Sequence, residues 1–312
     1  MLIGEKVVFL RMPKASTTST TSALKNMNVG TFIGGGVSLP MPGYRMPMHA
    51  GFSYLPDNFK KRYVFGTVRN PYPGLVSYYN YFLDEAGEGR MGFGPFIHLD
   101  TDGQPEFKGT LAKMLYPEQH GLEGKLQFIG HSDGEADLAE WMGNLGIGLW
   151  SWWYLWIYAR DPVGLALGGD REEMMREHDT LVGQRAIIDS LHVQQGLPVV
   201  LDAAGVELDE EQAKVISDFP HRNVNRDNVP EEQRGKAGGR LYSGEWRSLY
   251  DDEAIGWVKD RERLLLQRYG YDERGEGFAE PVFFEQPEAE MKPYRGPLLR
   301  DFFASQQQAE EE

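Results

Sequence analysis

Residues 6–22 read KVVFLRMPKASTTSTTS, and this stretch decides the fold class. Lys6–Arg11 is a short β-branched and aromatic run that predicts a buried strand. Pro13 starts a turn. The hydroxyl residues that follow supply N-cap candidates ahead of Ala23-Leu24-Lys25-Asn26-Met27, so a helix is expected to begin near Ser16 or Thr17. A helix N-terminus exposes unpaired N–H groups and a partial positive charge, so Lys14, Ser16, Thr17, Thr18 and Ser19 form a candidate cradle for phosphate or sulfate, with Ala15 in its backbone. The string G-x-x-x-x-G-K-[ST] is absent, which argues against an ATPase or GTPase loop.

The strand–loop–helix unit recurs downstream. Tyr63–Arg69 (YVFGTVR) predicts a second clear strand, and after Asn70-Pro71 the segment 72–83 spaces Leu75, Tyr78, Tyr79 and Phe82 as on a helix. Thr31–Gly36 is a shorter strand candidate, and these strands are expected to run parallel. Arg69 at a strand end, with Ser77 eight residues later on the following helix, can grip one phosphate from two sides. From about 109 to 205 the chain reads helical, with 110–115, 149–159 and 171–195 as the best segments. Leu145–Tyr158 (LGIGLWSWWYLWIY) has 14 residues, too few to cross a bilayer, and predicts a buried helix. Its tryptophans 150, 152, 153 and 156 are also candidates for stacking on an acceptor or for contact between subunits. Segment 207–217 predicts a helix, 219–247 a long polar loop, and 251–269 a last helix.

Composition bounds the rest. Apolar residues make up 41% of the 312 and charged residues 25%, which excludes a mostly disordered chain. The absence of cysteine excludes disulfides, thiolate zinc sites and a cysteine nucleophile. The net charge of -15 argues against nucleic acid and anionic membranes as partners, yet residues 1–83 carry nine Lys/Arg against two acids. That local +7, against -22 elsewhere, points to a small anion site on an acidic protein. The apolar run at the N-terminus is too short for a signal sequence, so the expected location is the cytoplasm. The seven histidines show no metal-ligand spacing, and no metal is expected. Gly87-Glu-Gly89-Arg-Met-Gly92 has glycine spacing without the preceding strand a dinucleotide site needs, and is read as a turn.

Taken together, the two anion motifs resemble those of the sulfotransferases that use 3′-phosphoadenosine 5′-phosphosulfate (PAPS). In that family a strand–x-P-K-x-x-[ST]-[ST]–helix loop holds the donor's 5′-phosphosulfate, and a strand ending in R-[ND]-P followed by Ser holds its 3′-phosphate. Lys14, Ala15, Ser16, Thr17, Thr18 and Ser19 match the first, Arg69 and Ser77 the second. The segment from His49 to Leu55 is similar to the heparan sulfate 2-O-sulfotransferase branch, which implies His49 as general base and Lys14 as stabiliser of the leaving phosphate. Asn223, Asn225 and the helix ending Gly270-Tyr271 resemble the family's C-terminal loop and last helix. Arg222, Arg226, Arg234, Lys236 and Arg240 are candidates for closing over the donor. Ala15-Ser16 stands where many relatives have glycines.

The resemblance implies a P-loop-like three-layer α/β fold with a short central parallel sheet in one domain, 1–275; the helical stretch at about 109–205 is read as an insertion in it, and the Pro- and Glu-rich composition of 276–312 predicts an extended or partly disordered tail. It implies sulfuryl transfer to an acceptor hydroxyl on a carbohydrate, lipid or other small molecule, without metal. A nucleotide kinase of similar fold and a catalytically silent nucleotide-binding protein are the alternatives.

Overall fold

The computed structural model describes residues 1–32, 51–55, 57–87, 94–122, 138–218 and 246–285. The strands are β1 (Leu2–Ile3), β2 (Val7–Leu10), β3 (Thr31–Phe32), β4 (Tyr63–Val68), β5 (His98–Leu99), β6 (Pro105–Glu106), β7 (Ala186–Asp189) and β8 (Val282–Phe283). The helices are α1 (Thr17–Asn26), α2 (Asp57–Lys60), α3 (Pro71–Gly87), α4 (Phe107–Leu115), α5 (Leu138–Leu145), α6 (Leu149–Tyr158), α7 (Pro162–Gly168), α8 (Arg171–Arg176), α9 (His178–Leu181), α10 (Val193–Ala203) and α11 (Glu210–Ser217). Two more, Asp252–Arg261 and Arg263–Tyr269, precede β8.

Six strands form one mixed sheet in the order β3-β1-β2-β4-β7-β8. Its middle is parallel: Val7–Leu10 pairs with Tyr63–Gly66, and Phe65–Val68 pairs with Ala186–Asp189. The expected all-parallel sheet is corrected at both sides, where β1, β3 and β8 run antiparallel to their neighbours. The reason on the N-terminal side is connection length. Only Gly4, Glu5 and Lys6 separate β1 from β2, and so short a link joins antiparallel strands only.

Alternate residues of the parallel strands feed two cores, one on each face. Val7, Phe9, Phe65, Ala186 and Ile188 pack against α1, α10 and α11 through Leu24, Leu197, Val200 and Ile216. Val8, Leu10, Val64, Val68 and Ile187 join a larger core with α3 and α6. The result is an α/β molecule with helices on both faces of the sheet. Gly66 permits a close approach in that second layer, because a Cβ there would fall 2.3 Å from the Tyr158 ring.

Two expectations need correction. The stretch 171–195 is not one helical segment: α8 and α9 end by Leu181, and Ala-Ile-Ile-Asp at 186–189 is the third parallel strand, buried throughout. A strand buried on both faces loses its alternation, so its apolar run reads like a piece of buried helix. The stretch read as helical is thus interrupted by β7, with α10 following it. The segment 276–285, expected to be part of a tail, supplies β8, and Phe284 N–H donates to Arg185 O at 2.9 Å. Finally, every residue of α6 is buried, with Trp150, Trp152, Trp153 and Trp156 at most 4% exposed. The buried-helix reading holds, and within the single chain those tryptophans lie in the core.

Among the described residues no helix is long and apolar enough to cross a membrane.

Candidate anion-binding site

The sheet brings both sequence motifs to one place. β2 and β4 run side by side and in the same direction, so the Arg11–Ser16 loop leaves the sheet beside Arg69, at the carboxyl edge where open α/β sheets bind ligands. Arg69 donates from Nη1 to the Lys14 carbonyl at 3.4 Å, and Thr67 Oγ1 donates to the Ala15 carbonyl at 2.6 Å. A third tie comes from β7, where the Ser190 carbonyl accepts from Ser16 Oγ at 3.0 Å. Residues 55 and 174 positions apart in sequence thus hold one loop.

These ties fix an unusual backbone. Lys14 and Ser16 have φ of 59° and 57°, whereas Ala15 between them does not have positive φ. Alternation of this kind turns successive amides toward one point, as in anion-binding nests. Ser16 is the N-cap of α1, but its hydroxyl is engaged with Ser190, so it makes no side-chain cap and no acid stands in the first turn. The amide end of α1 therefore keeps its partial positive charge, with exposed Thr18 and half-buried Ser19 beside it. Of the two positions without glycine, Ala15 and Ser16, only Ser16 is held in the left-handed region, with Lys14 before the pair.

The electrostatics are cationic. Arg11 directly follows β2, and burial holds it below the usual arginine range. Arg69 is lowered the same way, offset by the nearby Asp189 and Tyr271. The Lys14 ammonium lies over the Tyr81 ring of α3, 4.9 Å from its centroid. Asp189, which ends β7, is 1% exposed, and burial raises its carboxyl above the ordinary aspartate range. It accepts from Tyr271 Oη at 2.5 Å and from the Leu191 amide at 2.7 Å. The Trp150 indole donates to the Arg69 carbonyl at 2.8 Å, so the buried helix α6 pins the strand end that carries the arginine.

Of the expected site residues, Lys14, Ala15, Ser16, Thr17, Thr18, Ser19 and Arg69 come together. Ser77 sits partly exposed on the second turn of α3, and among the described residues no hydrogen bond joins it to Arg69. His49, Arg222, Asn223, Asn225, Arg226, Arg234, Lys236 and Arg240 lie outside the described residues, as does 88–92 of the glycine-spaced turn. Asn70 proves to be the N-cap of α3: its Oδ1 accepts from the Tyr72 amide at 3.0 Å while its Nδ2 donates to the Asp272 carbonyl at 2.9 Å. Sequence reading missed Thr67, Tyr81, Asp189 and Ser190. An acid ending an apolar run, Ile187-Ile188-Asp189, was the available signal for one of them.

Among the described residues no cluster of His, Asp or Glu could hold a metal ion. Compared with known proteins, the chain matches no family model, no curated protein and no solved structure.

Proposed function

We propose that the chain is a sulfotransferase that moves a sulfuryl group from 3′-phosphoadenosine 5′-phosphosulfate to an acceptor hydroxyl. One observation carries this reading: the Lys14 loop and the Arg69 strand end, distant in sequence, meet at the carboxyl edge of the parallel strands, where Arg69 donates to the Lys14 carbonyl. The donor bears anions at two positions on its ribose, and the site offers cations in two segments. The left-handed loop, the uncapped amides of α1 and its hydroxyls suit the 5′-phosphosulfate. Arg69 suits the 3′-phosphate.

In the reaction the acceptor oxygen bonds to sulfur while the bond from sulfur to the 5′-phosphate oxygen breaks. The electron pair leaves with that phosphate, and the acceptor proton passes to a base, the role the resemblance gives to His49. Lys14 and the α1 amides stabilise the charge that grows on the departing phosphate. A sulfuryl group carries less charge than a phosphoryl group, so fixed cations and dipoles suffice for its transfer.

The test is calorimetric titration with 3′-phosphoadenosine 5′-phosphate, adenosine 5′-monophosphate and ATP, alongside transfer of labelled sulfate. The bisphosphate should bind at least about tenfold tighter than the monophosphate, one charge-assisted contact's worth. Preference for ATP would make the protein a kinase instead.

A further inference from the structure

We propose that Asp189 and Tyr271 are positioning residues for Arg69, so that the grip on a nucleotide's 3′-phosphate depends on an acid–phenol pair supplied by β7 and by the segment after the last helix. This rests on the reading of Arg69 as the 3′-phosphate contact. The register of the sheet pairs Val68 with Asp189, which puts the carboxylate at the end of the strand adjacent to Arg69's own. Asp189 is close enough for its charge to act on the guanidinium, and the guanidinium acts back on the carboxyl group.

Its geometry is held from several directions. One oxygen accepts from the Leu191 amide and the other from the Tyr271 hydroxyl, across 82 residues of chain. Gly277 lies against the carboxyl group so closely that a Cβ would fall 2.4 Å from Asp189 Cγ. Asn70, the neighbour of Arg69, donates to the carbonyls of Asp272 at 2.9 Å and Glu276 at 3.4 Å. The 271–277 segment is thereby fastened to the ends of both β4 and β7.

Two physical roles follow. Asp189 supplies the counter-charge that lets a guanidinium rest in a poorly solvated place while its Nη1 donates to the Lys14 carbonyl. The Tyr271 hydroxyl occupies Asp189 Oδ2 and keeps the acid from closing fully on Arg69, so the arginine stays available to an incoming anion. Arg69 is then directed rather than neutralised.

The experiment compares affinities of the full chain for 3′-phosphoadenosine 5′-phosphate and adenosine 5′-monophosphate, with melting temperatures as a check on folding. Asp189→Asn should lower the preference for the bisphosphate by about tenfold or more, and Tyr271→Phe by about three- to tenfold, while affinity for the monophosphate changes little. A merely structural role would weaken both nucleotides alike and leave their ratio in place. If Asp189→Asn does not fold, Tyr271→Phe decides alone. Should wild type prefer the bisphosphate and Arg69→Ala abolish that preference, yet both variants keep the ratio within about twofold, the positioning pair is refuted and the donor site stands. A raised preference in Asp189→Asn also refutes it, because the acid would then only oppose the phosphate. If wild type shows no preference for the bisphosphate, the donor reading fails and takes this proposal with it.

Discussion

Lys14 and Ser16 occupy a backbone region that side chains avoid, at a cost on the order of 1–2 kcal/mol each. Three side chains offset that cost: Thr67, Arg69 and Ser16 itself hold the carbonyls of Ala15, Lys14 and Ser190. Strain kept at a cationic loop implies a use for the shape. Two substitutions separate shape from charge. Lys14→Ala should weaken donor binding and turnover together, by about 1.5–3 kcal/mol for the charged contact. Lys14→Gly should lose the same function yet be about 1 kcal/mol more stable than Lys14→Ala, since glycine accepts positive φ freely. Urea midpoints of the two variants check this, and equal midpoints would mean the loop stores no strain.

At the scale of elements, the aromatic helix α6 depends on one carboxylate. Glu262 is fully buried at the N-terminus of α6, where Oε1 accepts from the Trp150 amide at 3.0 Å and Oε2 from the Ser151 amide at 2.7 Å and hydroxyl at 2.6 Å. Burial outweighs these donors and pushes its carboxyl from 4.5 up to about 7. Between those values the folded protein holds a proton that the unfolded chain has released, so stability falls as pH rises, by about 3 kcal/mol over the whole interval. Below the lower value the contribution is fully present. Glu262→Gln should flatten this limb, and denaturant midpoints compared across the interval in both proteins would show it. Parallel profiles would place the titration elsewhere. Because α6 also pins the Arg69 carbonyl through Trp150, loss of this cap should reach the anion site.

Over the whole molecule, the sheet is completed from the far end of the chain. β8 pairs with β7 beyond 90 intervening residues, and Phe284 is buried with the Arg268 guanidinium 5.2 Å from its ring centroid. Phe284→Ala should therefore cost about 3 kcal/mol or more, the usual loss for a buried aromatic side chain. A neutral result would return this segment to the tail that its Pro- and Glu-rich composition predicts. The same closure brings Tyr271 to Asp189, so stability of the C-terminal edge and geometry of the anion site are linked.

What the sequence determined by itself is local. Val7–Leu10 and Tyr63–Val68 are strands because β-branched and aromatic residues bounded by turn signals have one good solution, and α1 begins at Thr17, inside the hydroxyl run after Pro13, although no side chain caps it. Lys14 and Arg69 were legible as candidate anion ligands for the same reason: each sits at a strand–helix junction whose chemistry depends on its immediate neighbours. Tertiary structure alone decided which strands are neighbours. The antiparallel edges, the strand at Ala186–Asp189 and the roles of Thr67, Ser190, Asp189 and Tyr271 all depend on pairings across tens to hundreds of residues. Hydrogen bonding and burial between strands are set by the sheet as a whole, so a four-residue apolar run has no direction or partner until the rest of the sheet supplies them.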